Sequence, residues 1–380
     1  IKSFILIKFK EIDFQFETVY TKCTKLRINF NQIIYLMLIF ELMNFEKIKK
    51  LNELINASEN IVIIPHTSPD GDAIGSCLAL YNVLKIINKS SHVVSPNKAP
   101  DFLNWTPGFD KITYYDTEKE RCKKLISNSD LIFTLDFNDL SRIGELKEVL
   151  NQSNSKTVMI DHHQNPKDYD DLIFSNSEIG STCELLYEIF VLIGFESKLN
   201  KDISSCLYLG MMTDTGSFQY SSVSSRTHEI ISSLFNKKID HNFIYNKVYN
   251  DSSASRLKVL GSALNSLTHI KELNTVYMSL KRDELEKLNY KKGDSEGIVN
   301  YGLTLKGVIF CAIFIEDVNV SNNVKISFRS LGNFPCNLYA ENHFLGGGHI
   351  NASGGRFEGN AENAIEKFLK SLPKYKDKLI

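Results

Sequence analysis

His66-Thr67-Ser68-Pro69-Asp70-Gly71-Asp72-Ala73-Ile74-Gly75-Ser76 follows almost directly on the apolar run Ile61-Val62-Ile63-Ile64. A short, nearly continuous run of β-branched residues closed by turn formers reads as a strand covered on both faces. Beyond the turn, Ile74, Leu78, Tyr81, Leu84 and Ile87 are spaced to fill one helix face. The pattern recurs. Leu131-Ile132-Phe133-Thr134-Leu135 and Thr157-Val158-Met159-Ile160 are further buried-strand runs, and residues 204–212 read as a buried helix. Strands alternating with helices predict an α/β fold on a doubly wound parallel sheet.

Residues 246–255 are polar and rich in Asn and Ser, marking a domain boundary. A helix over 254–267 is expected to bridge into a second, smaller α/β domain. That domain should hold strands near 275–280, 308–315 and 324–329, then a glycine-rich stretch and a closing helix over 361–369. The chain begins with Ile1, and its first forty or so residues mix aromatics, charges and β-branched residues without clear periodicity. An amphipathic helix starts at Met43 and runs through Ile55, so 1–42 are expected to be an extension outside the domains. The division is then 43–245 for the first domain, 246–267 for the linker and its helix, and 268–375 for the second.

Composition narrows the function. Of 380 residues, 43% are hydrophobic and 23% charged, as in ordinary globular chains. Lys and Arg number 44 against 45 Asp and Glu, a net charge of −1. Proteins that coat long nucleic acid need a cationic excess, so that class is disfavoured, whereas a small anionic substrate is not. The apolar run from Ile33 to Phe40 is too short to span a bilayer, and no secretory signal is read. The seven cysteines are scattered without a C-x-x-C pair, which disfavours a zinc knuckle or disulfide framework. A reduced, cytoplasmic protein with no membrane partner is expected.

Each predicted strand of the first domain runs into acids and histidines. His66, Asp70 and Asp72 follow the first, Asp136 the second, and Asp161-His162-His163 the third; Asp214 follows the buried helix. Taken singly, an Asp after a strand is a turn former or helix cap. Taken together, all would converge on the crevice at the carboxyl ends of the strands. Like charges about 4 Å apart repel by ~4 kcal/mol at an effective dielectric near 20. Several such pairs approach a domain's whole stability of about 5–15 kcal/mol. Two divalent cations would cancel four carboxylates, and a carboxylate–imidazole set without thiolates suits a metal such as Mn²⁺. Paired ions are an arrangement used for phosphate ester hydrolysis.

His66-x-x-x-Asp70-x-Asp72, Asp136, Asp161-His162-His163 and Asp214 resemble, in order, the four motifs of the DHH phosphoesterase superfamily. Gly346-Gly347-Gly348-His349-x-x-Ala352-x-Gly354 resembles its C-terminal DHHA1 domain. The match runs from about Met43 to Tyr375, and the chain is similar to the compact nanoRNase and pAp-phosphatase group. The resemblance implies two Mn²⁺ ions per chain, with Mg²⁺ or Co²⁺ as substitutes. His66 and Asp70 would hold the first; Asp72, His162 and Asp214 the second; Asp136 would bridge. Asp161 would orient His162, and His163 would donate a hydrogen bond to the scissile phosphate.

In the second domain, Gly347 and Gly348 can line an anion-binding concavity beside His349, and Arg329 at a strand end can grip a phosphate. Arg356 and Arg142 are weaker candidates, a salt bridge being an equal reading for Arg142. An anchor opposite the metals would measure a short substrate. The expected activity is hydrolysis of short oligoribonucleotides to mononucleotides, and of adenosine 3′,5′-bisphosphate to AMP, by a chain that could form a homodimer. The alternatives are hydrolysis of linear dinucleotides from cyclic messengers, of pyrophosphate or of polyphosphate, and, outside enzymes, a nucleotide-binding protein with a dead site.

Overall fold

The computed structural model describes residues 45–291 and 293–380; the expected extension 1–42 and the start at Met43 lie outside them. Two six-stranded sheets organise the chain. The first comprises β1 (Asn60–Pro65), β2 (Ser90–Ser95), β3 (Ile112–Tyr114), β4 (Leu131–Leu135), β5 (Lys156–Asp161) and β6 (Leu172–Ser175). Its order is β3-β2-β1-β4-β5-β6, and every pairing is parallel. The order reverses between β1 and β4, which opens a crevice at their carboxyl ends.

Helices α1 (Phe45–Ala57), α2 (Gly71–Ile86), α3 (Lys119–Ser127), α4 (Leu146–Asn151), α5 (Thr182–Leu192), α6 (Lys201–Asp214) and α7 (Ser225–Asn236) accompany this sheet. The expected one-sided stripe understates α2, because Gly71 through Leu80 are all buried. This helix packs against the sheet on one side and against α6 on the other. The helices meet nearly backbone to backbone. A Cβ at Gly75 would lie 2.5 Å from the Cys206 carbonyl, and one at Gly210 would lie 2.5 Å from Asp72 Oδ1. Glycine permits that approach where any side chain would block it, and it brings Asp72 at the start of α2 beside the α6 helix that ends at Asp214.

After α7 the chain passes through a short helix (His241–Tyr245) and a π-helical turn (Asn246–Asn250) into α8 (Ala254–Asn265). The second sheet holds β7 (Thr268–Ile270), β8 (Thr275–Leu280), β9 (Phe310–Glu316), β10 (Asn323–Ser330), β11 (Gly347–His349) and β12 (Ala352–Glu358), with α9 (Cys336–His343) and α10 (Ala361–Ser371). Its order is β11-β12-β10-β9-β8-β7, parallel only between β8 and β9. Phe310, Phe314, Phe328, Tyr339 and Phe368 fill the core on the face under α9 and α10. Val259, Ala263, Val276, Met278, Cys311 and Ile313 fill the other, under α8. At the start of α8, Ser255 Oγ donates to Asp294 at 3.0 Å, and Arg256 donates to the carbonyls of Gly293 and Glu296 at 2.7 and 2.8 Å. These bonds fasten the helix to the loop before β9.

The strands over 61–64, 131–135, 157–160, 275–280, 308–315 and 324–329 form within a residue or two of expectation. Strands β2, β3 and β6 went unread, being short or as polar as Ser90-Ser91-His92. The glycine-rich stretch is not an open loop: Gly347, Gly348 and His349 pair as an edge strand with Gly354, Ser353 and Ala352.

Asp170, just before β6, accepts from Thr134 Oγ1 of β4 at 3.2 Å. Burial pushes its carboxyl up to about 7, against an ordinary value near 4. Through that window the folded chain keeps a proton the unfolded chain has lost, so this contribution to stability falls as pH rises and is constant above it. Asp170→Asn cannot ionise, and should therefore raise Tm more at pH 8 than at pH 5 in parallel thermal melts. A larger gain at pH 5 would refute the assignment.

Candidate metal centre

Strand termini and two helix ends build the site. His66 follows β1 immediately, and its Nδ1 sits 2.8 Å from the Thr67 carbonyl, which turns Nε2 inward. Asp70 caps α2: its Oδ1 accepts from the amides of Asp72 and Ala73, both at 3.1 Å. Its Oδ2 lies 3.9 Å from His66 Nε2. The capping role and the ligand role thus use different oxygens of one carboxylate.

Asp136 stands at the centre. It follows β4 with φ of +66°, a conformation uncommon for a residue carrying a Cβ, and its amide donates to the Ile160 carbonyl at 3.1 Å. The turn sets its carboxylate between two histidines, one oxygen toward each. Oδ2 is 3.6 Å from His66 Nε2, and Oδ1 is 3.6 Å from His162 Nε2. His162 Nε2 also lies 3.0 Å from Asp214 Oδ2 and 3.8 Å from Asp72 Oδ2. Three groups can each hold an ion: His66, Asp70 and Asp136; Asp72, His162 and Asp214; and Asp136, His162 and His163. All seven expected ligand-motif residues outside Asp161 fall within these groups.

The charge balance favours a cation. Burial, then the neighbouring Asp214, pushes the Asp72 carboxyl up to about 7. Burial, then Asp72 and Asp70, lifts Asp136 well above the carboxylate range. Burial opposes charge on His162, yet Asp214, Asp136 and Asp72 together raise it well above its ordinary value. The protein alone answers crowded negative charge by binding protons, and divalent cations would do the same with more charge per site. The oxygen and nitrogen donor set, without thiolates, suits hard or borderline ions.

Asp161 departs from its expected role. Its carboxylate holds His163, not His162: Oδ1 is 2.7 Å from His163 Nδ1, and Oδ2 accepts the His163 amide at 3.1 Å. His162 Nδ1 faces the Ile179 carbonyl at 3.3 Å instead. The reason is local. Asp161 ends β5, and its side chain folds over the turn to reach the residue two positions on. Burial opposes its charge, but the His163 hydrogen bond and both imidazoles hold its carboxyl below the usual range. Burial keeps His163 below its ordinary value.

Thr182, which the sequence reading missed, touches two of the candidate ligands. Its amide donates to Asp72 Oδ2 at 2.6 Å, the Cys183 amide donates to Asp72 Oδ1 at 2.9 Å, and Thr182 Oγ1 donates to Asp136 Oδ1 at 2.9 Å. The first amides of α5 have no partner within their own helix and so serve the Asp72 carboxylate. Nothing in the Ser181-Thr182 dipeptide announces this, since the same residues serve as an ordinary N-cap, and Ser181 is one.

Arg142 ties two site loops together, its carbonyl accepting the Thr67 amide at 2.7 Å, and its charge bears on His66 and His163. Across the cleft, Lys325, Ser327 and Arg329 pair with Arg356, Gly354 and Ala352, so the three cations share one face of the sheet. Over β9 that face is apolar core under α8; over β10 and β12 Lys325 and Arg356 stand exposed. Period-two counting back from Arg329 would have found Lys325. Gly347 and Gly348 lie on the adjoining edge strand, whose pairing needs bare backbone: a Cβ at Gly348 would approach the Ala352 carbonyl to 2.7 Å. The side chain of His349 lies outside the described part of the structure.

Comparison with known proteins places the chain among relatives of one kind. The DHH family, N-terminal domain, matches residues 60–211. The bifunctional oligoribonuclease and PAP phosphatase NrnA of Bacillus subtilis is 24% identical over 80% of this chain and 91% of its own length. The protein of the same name from Mycoplasma genitalium is 28% identical over 80% and 91%. A crystal structure of an exopolyphosphatase-related protein from Bacteroides fragilis superposes with a TM-score of 0.84 at 44% identity, covering 88% of this chain and 97% of that one. The chain belongs to the DHH family.

If Thr182 fixes the Asp136 carboxylate, Thr182→Val should weaken Mn²⁺ binding by roughly ten- to a hundredfold, the usual cost of losing a ligand's supporting hydrogen bond. Thr182→Ser should stay close to wild type. Isothermal titration of both variants with Mn²⁺ checks this, and equal affinities would remove Thr182 from the site.

Proposed function

We propose that this protein is a metal-dependent phosphoesterase that hydrolyses short oligoribonucleotides to mononucleotides and adenosine 3′,5′-bisphosphate to AMP. The observation that carries the reading is Asp136, whose two oxygens face two different histidine–aspartate groups. That is the disposition a bridging carboxylate requires. His66, Asp70 and Asp136 would hold one cation, and Asp72, Asp136, His162 and Asp214 a second, with Mn²⁺ the favoured ion. Divalent cations bound there supply an activated water and offset charge building on the phosphate.

The side chains account for the rest. Asp161, held ionised, accepts the Nδ1 proton of His163, so a neutral His163 presents Nε2 as an acceptor. To donate toward a phosphate the ring must first take up a proton, which the phosphate's own charge favours. Arg142 adds positive charge on the same side. Lys325, Arg329 and Arg356, on the open face of the second sheet, would hold a phosphate away from the reacting one, leaving residues 43–245 as the catalytic domain, 246–267 as the linker and 268–375 as the substrate-binding domain. A substrate spanning both must be short, in keeping with the names of the Bacillus subtilis and Mycoplasma genitalium relatives.

A second reading, hydrolysis of polyphosphate or pyrophosphate, is favoured by the name of the Bacteroides fragilis relative. A panel of pApA, adenosine 3′,5′-bisphosphate and pyrophosphate with added Mn²⁺ separates the two. Turnover of the nucleotides is expected, and turnover of pyrophosphate alone would replace the first reading by the second. Chelation should abolish activity, and Asp136→Ala should do so on every substrate while the circular dichroism spectrum is kept; a tenth of wild-type kcat in that variant would sink the bridging role.

Arg329→Ala should lower kcat/KM for a dinucleotide by roughly ten- to a hundredfold, mainly through KM, given about 1.5–3 kcal/mol for a charged hydrogen bond. Bis-p-nitrophenyl phosphate, with no second phosphate, should be affected little. Equal losses on both substrates would assign Arg329 to the catalytic centre or to the fold.

A further inference from the structure

Three tyrosines near the cleft have no role in the reading so far. Tyr220, Tyr245 and Tyr249 are 43%, 42% and 39% exposed; large rings exposed singly are ordinary, but a contiguous patch of them marks an interaction surface. They form one patch. The rings of Tyr245 and Tyr249 lie 4.9 Å apart at 50°, and Tyr249 has both Tyr220 and Tyr245 within electrostatic reach. Tyr220 rests on Gly216, where a Cβ would come within 2.6 Å of its Cζ. Gly216 is two residues beyond Asp214, so the ring is seated on the turn that carries a candidate metal ligand.

The backbone beneath is shaped to present these rings. Ser217 and Phe218 both take positive φ, +58° and +65°, uncommon for Ser and a true outlier for a residue as large as Phe. Tyr249 lies in the π-helical turn Asn246–Asn250, a local form that occurs often at functional sites. Glu296 locates the patch relative to the rest of the cleft. It is within electrostatic reach of Tyr249, of Asp70 on the metal side, and of Lys325 and Arg329 on the second sheet. The tyrosines therefore adjoin the space between the metal groups and the cationic face.

We propose that Tyr220, Tyr245 and Tyr249 form a shelf on which a nucleobase of the substrate stacks, between the phosphate at the metal centre and the phosphate at the cationic face. The inference rests on the nucleotide-hydrolase reading and adds to it the part of the substrate that lies between phosphates. Aromatic rings suit that place because every base offers a π-face, so stacking contributes binding without selecting a sequence. The tyrosine hydroxyl can stay wet while the ring is covered. A shelf of this kind would also favour nucleotides over inorganic polyphosphate, which has nothing to stack.

The test compares adenosine 3′,5′-bisphosphate with base-free ribose 3,5-bisphosphate as substrates of the Mn²⁺-loaded protein. The readout is the ratio of their kcat/KM values. Wild type should favour the base-bearing substrate, and Tyr249→Ala should cut the ratio roughly tenfold, as loss of one stacking ring does elsewhere. Tyr249→Phe, which keeps the ring, should restore it, and Tyr249→Leu, which keeps apolar bulk without a π-face, should not. A ratio near one in wild type, or one unchanged in Tyr249→Ala and Tyr220→Ala, would overturn the shelf while leaving the hydrolase reading intact. Turnover of pyrophosphate with no turnover of either bisphosphate would overturn both.

Discussion

Asp72 and Asp136 are carboxylates closed off from water within reach of each other, of two further aspartates and of two histidines. The rest of the first half of the molecule is arranged around that constraint. Two helices cross at bare glycine backbone so that Asp72 can stand beside α6, and the first turn of α5 turns its amides on the same carboxylate. Concentrated negative charge of this kind is expensive to bury, and a fold that invests helix ends and strained backbone in keeping it there is one built to receive positive charge. The strain at Asp136 is local: its left-handed backbone turns the chain out of β4 where the carboxylate stands between His66 and His162.

The cationic face of the second sheet answers the acidic crevice of the first, and the division of labour follows from the two kinds of sheet. A parallel sheet sends its strand ends to one edge, which gathers residues distant in sequence into one cluster. An antiparallel ladder instead lines side chains up in register across neighbouring strands, which here gathers Lys325, Arg329 and Arg356 on one face. Near-zero net charge over the whole chain hides this separation, so the overall charge disfavours a nucleic-acid coat without describing the local field.

Much of this was legible in the sequence, for identifiable reasons. Residues 61–64, 131–135 and 157–160 are fully or nearly fully buried strands, and the apolar runs say so directly. The clustering of these His and Asp residues was readable because a parallel sheet brings its strand ends to one edge. Thr182 was not readable, because a hydroxyl that supports a ligand looks the same as one that caps a helix. The partner of Asp161 was misassigned because sequence adjacency cannot say which of two neighbouring imidazoles a turn will bring within reach. Gly347 and Gly348 suggested a loop because glycine's permissiveness is shared by loops and by crowded edge strands, and only the pairing with β12 decides between them.

The clasp at the start of α8 has a mechanical meaning. Ser255 and Arg256 bond to the loop that carries Asp294 and Glu296, which pins the start of the helix to the second half of the chain. Val259 and Ala263 further along α8 are buried against Val276 and Met278 of the same sheet, so the helix is braced at both ends like a strut, by polar bonds where it begins and by apolar packing along its length.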